Sequence, residues 1–255
     1  MNTSREHEIT RAFVSIANSM ADGADVVDLL SGLTSDCARL LDIASAGLLL
    51  ADGRGVLHVL AASSERTRDL EIFQLQRDEG PCLDCFHTGQ QVSVNDLSQE
   101  TDRWPQFVAA ATAAGFAAVH ALPMRLRGTT LGALNLFSDK AGALDADDLD
   151  LAQALAHVAS IALVTDKAAS DRETINQQLQ TALTSRIAIE QAKGVLAQLG
   201  NLDMDQAFAI LRRYARDHNA RLSDVAQQLV SRKLAAQQLL DDHSTAKVAS
   251  RDNTT

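Results

Sequence analysis

From Asp145 to Leu199 the chain contains no proline and one glycine, Gly194. Inside a helix, proline costs about 3 kcal/mol and glycine about 1 kcal/mol relative to alanine. So long a run with neither predicts nearly continuous helix. Asp145, followed by Asp147 and Asp148, supplies a capping residue and an acidic first turn, which the helix dipole favours. The run divides the chain into two parts of different character. At 255 residues the length also favours two domains over one.

Before Asp145 the pattern alternates. Residues 5–20 and 25–42 have helical apolar spacing, for example Val26, Leu29, Leu30 and Leu33. "SAGLLLADGRGVLHVLAAS" predicts two strands around a turn, with Asp52-Gly53 and Gly55 supplying positive-φ positions. A helix near 65–76 follows, then a loop "RDEGPCLDCFHTG", a strand in "QQVSVND" and a helix in "RWPQFVAAATAAG" ended by Gly115. "FAAVHALPMRLRGTTLGALNLFS" predicts two longer strands joined at Arg127-Gly128. Strands joined by tight turns imply an antiparallel sheet covered by helices, so the fold class is α+β.

Within the long helix, Ile161, Val164, Ala168, Ile175, Leu179 and Leu183 make a thin apolar stripe. A narrow stripe suits a paired seam, so 161–185 reads as a two-stranded coiled coil, with a lone polar linker helix as the alternative. Around Gly194, the spacing of Ala192, Val195, Leu196 and Leu199 turns those residues toward a core. Arg186, Glu190, Lys193 and Ala197 then fall on the outer stripe, with Gly194 at the edge, where a missing side chain leaves room for a helix or a phosphate. After Leu199-Gly200-Asn201, Asp203 and Gln206 form a capping box. The next helix has Met204, Ala207, Phe208, Leu211 and Ala215 on one face, Tyr214 at its border and Arg212, Arg213 and Arg216 away from it. Ser223 is placed to cap a third helix, and the tail beyond Asp241 is polar.

Charge separates the two parts. Residues 1–170 hold 12 basic and 23 acidic side chains, whereas 183–233 hold 8 basic and 5 acidic. Only the second part has the balance to face phosphate. No run of 18 apolar residues occurs and "MNTSREHEIT" lacks a secretory layout, so the expectation is a cytoplasmic protein without membrane contact. Cys37, Cys82 and Cys85 are too few for a disulfide framework. Cys82-x-x-Cys85 invites a redox or metal role, but zinc needs about four ligands. Cys37, His87 and His120 are not spaced to complete such a set. Structural thiols are the favoured reading, with a Cys82–Cys85 bridge as a possible redox switch and no metal assigned. His58, His120 and His157 read as core or edge residues.

"RIAIEQAKGVLAQLGNLDMDQAFAILRRYARDHNARLSDVAQQLV" resembles an ANTAR domain, the three-helix RNA-binding module of antitermination regulators. The resemblance rests on Ile189-Glu190, Ala192-Lys193-Gly194, Ala207-Phe208, Leu211-Arg212, Asn219, Leu222 and Asp224-Val225-Ala226. It implies binding to two adjacent hairpins of a nascent leader transcript, which keeps a terminator from forming. Arg186, Lys193, Gly194, Arg212 and Tyr214 become candidate RNA contacts by that resemblance; Arg213 and Arg216 follow from charge clustering alone.

"DEGPCLDCFHTGQQVSVNDL", "RWPQF", "GFAAVHALPMRL" and "TLGALNLFS" resemble a GAF domain. That family implies an antiparallel sheet flanked by helices and a small-molecule pocket. The residue set of the cyclic-nucleotide GAF domains is absent, so the ligand and any cofactor stay unassigned.

The expected organisation is an N-terminal helix at 1–24, a GAF sensor at 25–165, a connecting coiled-coil helix at 166–182, an ANTAR domain at 183–238 and a disordered tail at 239–255. The expected function is a homodimeric, signal-responsive antitermination regulator without catalytic activity. A DNA-binding helix-turn-helix and a GAF-type methionine sulfoxide reductase are the alternatives.

Overall fold

The computed structural model describes residues 3–21, 25–163 and 172–242. The chain divides into two compact units, 1–181 and 182–255.

The first unit holds a five-stranded antiparallel sheet in the order β2-β1-β5-β4-β3. Two helices precede it, α1 (Thr3–Ala21) and α2 (Val26–Leu40). Asp25 starts α2 by accepting hydrogen bonds from the backbone N–H of Val27 and Asp28. Strands β1 (Ser45–Ala51) and β2 (Leu57–Ala62) form the first hairpin. In its turn the Asp52 carboxylate accepts from Arg54 N at 2.8 Å and Val56 N at 3.0 Å. Gly55 has a φ of 82°, whereas Gly53 is not at positive φ, so the side chain of Asp52 supplies part of what two glycines were expected to supply.

Helices α3 (Glu65–Arg77), α4 (Pro81–Thr88) and α5 (Pro105–Ala113) and the short strand β3 (Val92–Val94) come next. Helix α4 corrects the loop expected at 77–89. Pro81 stands in its first turn, where an N–H would have no partner, and Gly89 ends it at a φ of 63°. Those residues start and stop a helix as readily as they mark a loop. Strands β4 (Ala118–Leu126) and β5 (Thr129–Ser138) are joined by Arg127 and Gly128, both at positive φ (48° and 82°). Two such residues in succession fit the twist of a two-residue hairpin.

Side-chain alternation separates the faces of the sheet. Leu49, Ala121 and Ala133 pack with Cys82, Leu83 and Cys85 of α4. Val119 and Phe137 pack with Trp104, Phe107, Val108 and Phe116 in and around α5. The opposite face carries the buried Leu48, Leu50, Leu122, Leu134 and Leu136, against α2 and α6 (Ala146–Ala162). Asp145 caps α6 by accepting from Asp148 N at 2.7 Å.

Gly132 sets the spacing of the two central strands. It pairs with Leu50, and a Cβ there would stand 2.0 Å from the Leu49 carbonyl oxygen.

The helix expected to run unbroken from Asp145 is described as two, α6 and α7 (Arg172–Gly200). Residues 164–171 lie outside the described residues, and with them part of the expected coiled coil. The second unit contains α7 from Ala182 onward, α8 (Met204–Asp217), α9 (Leu222–Val230) and a helical segment at 236–242. Asp203 and Gln206 form the capping box of α8. Arg221, not Ser223, occupies the cap of α9, without a side-chain hydrogen bond. Leu239 is buried, so the expected tail enters the bundle before 243–255, which lie outside the described residues.

Gly132→Ala is expected to destabilise the first unit by about 3 kcal/mol, because backbone must move to admit the methyl group. A fall in the urea midpoint at unchanged m-value checks it.

Candidate functional site

In the second unit, Ala182, Leu183, Ile189, Ala192 and Leu196 of α7 are buried. Arg186 and Lys193 are buried with them, at 8% and 4% exposure, while Val195 and Leu199 are exposed. The helix is therefore rotated relative to the spacing-based reading, which put Arg186 and Lys193 outside and Val195 and Leu199 inside. The reason is a charge network along one helix face. Arg186 Nη2 lies 2.6 Å from Glu190 Oε1, and Lys193 Nζ lies 3.3 Å from the same carboxylate. The Lys193 ammonium also sits 5.5 Å from the centre of the Phe208 ring on α8. Two long stems cover apolar surface while one carboxylate and one ring meet their heads.

Helix α8 buries Ala207, Ile210, Leu211, Tyr214 and Ala215. The Tyr214 ring stacks on His218 with centroids 3.9 Å apart, and Gln238 Nε2 donates to its hydroxyl at 3.1 Å. Tyr214 is thus inside the bundle and not at its border. Arg212 and Arg213 are half-buried and Arg216 is exposed on the opposite side of α8. Arg221, Arg232 and Lys233 are also exposed. Gly194 is exposed, and a Cβ added there would meet nothing within 4 Å. Of the seven sequence-derived candidates, the structure brings Arg212, Arg213 and Arg216 together on one helix face. It sets Arg186, Lys193 and Tyr214 in the interior and Gly194 on a different face.

The first unit hides a polar cluster that spacing alone did not single out. Glu71 on α3 is fully buried, and Asn135 Nδ2 on β5 donates to its Oε1 at 2.7 Å. Gln74 donates to the other oxygen. Two glycines make room: a Cβ at Gly47 would lie 2.4 Å from Glu71 Oε1, and one at Gly80 would lie 2.3 Å from Gln74 Oε1. Burial drives the Glu71 carboxyl up to about 7, against the opposing pull of its two donors. The sequence signal was available, since a glutamate and a glutamine three apart fall on the sheet side of α3.

Cys82, one turn from Cys85 on α4, borders this cluster, and all three cysteines are buried free thiols. Burial pushes the Cys82 thiol well up and the Cys85 thiol to about 12. Thiols held in the protonated form are poor nucleophiles and poor metal ligands. Among the described residues, no group of three or more His, Cys, Asp or Glu is placed to hold a metal ion. No described helix is long and apolar enough to cross a membrane. His120 is buried on the α2/α6 face of β4, and burial lowers its pKa.

A GAF domain model matches residues 23–164 and an ANTAR domain model matches residues 177–230. No curated protein matches the chain. Among solved structures, the GAF domain of an Acinetobacter phosphoenolpyruvate-protein phosphotransferase is 13% identical with a TM-score of 0.52, covering 67% of this chain and 99% of that one. The GAF region of a putative membrane protein of Geobacter sulfurreducens is 21% identical with a TM-score of 0.47, covering 57% and 97%. A free methionine-R-sulfoxide reductase of Neisseria meningitidis is 14% identical with a TM-score of 0.45, covering 71% and 91%. At these identities the first of them supports the fold alone.

Two outcomes follow from the buried charges. Glu190→Ala removes the carboxylate that two buried cations share and is expected to cost about 3 kcal/mol, whereas Arg216→Ala should change stability by less than about 0.5 kcal/mol. Chemical denaturation of both variants checks the contrast. For Glu71 the folded value lies above the unfolded one. Its contribution is therefore fully present below about pH 4.5 and declines as pH rises toward about 7. Between pH 5 and pH 8 the wild type should lose about 2–3 kcal/mol that Glu71→Gln does not lose, as read from urea unfolding at both pH values.

Proposed function

The chain belongs to the GAF family over more than half its length and carries an ANTAR domain toward its carboxyl end; on that footing we propose that it is a signal-responsive antitermination regulator binding paired RNA hairpins in a leader transcript. The observation that carries this reading is the ANTAR match at 177–230 together with the three arginines on the solvent side of α8. Bases in hairpin loops are unstacked and open to side chains, and the phosphates around them require cations.

In this reading Arg212, Arg213 and Arg216 contact the RNA backbone. Arg186, Lys193 and Tyr214 act as the scaffold that holds α8 in place, because Glu190 and Phe208 already engage the two cations and Gln238 engages the phenol. The GAF unit receives the signal, and its ligand is a small molecule of unassigned class. The protein acts as a homodimer in the cytoplasm and catalyses no reaction. Buried, protonated thiols at Cys82 and Cys85 support a structural role over redox sensing. A helix-turn-helix reading of duplex DNA finds little support in α9, which contains no lysine or arginine between Leu222 and Val230.

Gel-shift titration at stated salt tests the proposal. A two-hairpin leader should bind more tightly than a single hairpin, scrambled RNA or duplex DNA of equal length. Each of Arg212→Ala, Arg213→Ala and Arg216→Ala should reduce the slope of log K against log salt by about 1. Equal affinity for all four nucleic acids would refute the specific claim.

A further inference from the structure

Helix α8 ends in a ring that is exposed to solvent and yet held in place. His218 is its cap residue. The imidazole lies on the buried Tyr214 ring one turn earlier, with centroids 3.9 Å apart and planes 19° from parallel. Its Nδ1 stands 3.0 Å from the Tyr214 carbonyl oxygen. A carbonyl only accepts, so Nδ1 carries a proton and the tautomer of the neutral ring is fixed. Tyr214 is itself anchored, since Gln238 Nε2 donates to its hydroxyl. An exposed side chain ordinarily keeps its rotamer freedom, but here a hydrogen bond and a stack hold the imidazole in one orientation. Among the described residues, Tyr214 covers one face of that ring and no other ring meets the second. The chain on both sides carries cations. Arg216 and Arg221, two residues before and three after, are exposed, as is Asp217. Asn219 turns the backbone between the helices at a φ of 49°.

We propose that the outer face of His218 is a stacking platform for an unpaired base of the RNA loop, with Arg216 and Arg221 taking the phosphates on either side of that base. Every base has a π face, and a ring already stacked on a second one meets it without reorganising. The carbonyl end of a helix disfavours an anion, so the group that lies on this ring is a neutral base and not a phosphate. Paired bases inside a duplex have no face to offer, whereas those of a hairpin loop do. Tyr214 then serves the RNA from beneath, as the second layer of the platform. This role rests on the hairpin-binding function proposed above, to which it adds the contact with a base.

The test uses the full chain and the two-hairpin leader of the gel-shift titration. His218→Ala should weaken binding by about 10-fold and leave the slope of log K against log salt unchanged, because no phosphate contact is lost. His218→Phe, which keeps an aromatic face, should bind within about 3-fold of wild type. His218→Gln keeps a donor for the Tyr214 carbonyl but has no ring, and should lose as much as alanine, so a bundle weakened by alanine does not decide the matter. Leaders with one loop base removed at a time locate the stacked base. At one position the abasic leader should lose the same factor on wild type and nothing further on His218→Gln. A folding defect lowers affinity for every leader alike and cannot produce that match. A His218→Gln protein that binds like wild type, or whose loss adds to that of every abasic leader, overturns the platform and leaves the ring as a brace for Tyr214. A short unstructured RNA carrying 2-aminopurine keeps the two readings apart. Fluorescence quenched by wild type and His218→Phe but not by His218→Gln, with no preference for hairpins, upholds the platform and removes the hairpin function. Hairpin preference that is indifferent to His218 does the reverse, and a wild type that neither prefers hairpins nor quenches the probe overturns both.

Discussion

The rotation of α7 about its own axis depends on one carboxylate. Glu190 lies one helical turn from both Arg186 and Lys193, and it allows two cations to occupy positions that would otherwise need aliphatic side chains. Burying a charge without a partner is far more costly than burying a matched set, so the three residues enter the bundle together or not at all. Once they are inside, Phe208 has a cation above its ring and the aliphatic Ile187 and Leu199 are left in water. The arginines of α8 then become the main cluster of cations on a helix face of this unit.

The sensor unit obeys a related constraint. Its sheet is covered by helices on both faces, and Glu71 of α3 is fully buried against β5, with Asn135 and Gln74 as its donors. Gly47 and Gly80 leave space for the carboxyl and for Gln74. The same compactness holds the cysteines of α4 as thiols. A polar group in this core is tolerated because amide donors reach it, and its charge state is set by what surrounds it more than by the bulk solution.

Most of the architecture was legible in the sequence because the signals were strong and local. Alternating apolar runs around Arg127-Gly128, the acidic start at Asp145 and the capping box at Asp203 each point to one backbone conformation. The reading failed where the determinant was a partner and not a pattern. Pro81 and Gly89 bracket a short helix that punctuation alone cannot distinguish from a loop. Ser223 has the side chain of a cap, yet the cap position falls two residues earlier, at Arg221. Arg186 and Lys193 look like solvated residues to any scale that scores side chains singly, since their burial depends on Glu190. Tyr214 is inward because His218 and Gln238 complete its surroundings, and those residues lie four and twenty-four positions away. Glu71 and Gln74 show in the sequence as a polar pair three apart, but the second donor that lets the carboxyl be buried, Asn135, is on a distant strand.

The ends of the sheet limit how this protein can assemble. Strand β3 spans only Val92–Val94 at one border, and β2 at the other follows a turn stapled by Asp52. A border of three residues offers too short a ladder to template another chain's strand, which protects a crowded solution of the protein from sheet-to-sheet polymerisation. At that border, recruitment of further molecules is left to helical surfaces, where contacts can form and dissolve without remodelling the five-stranded sheet.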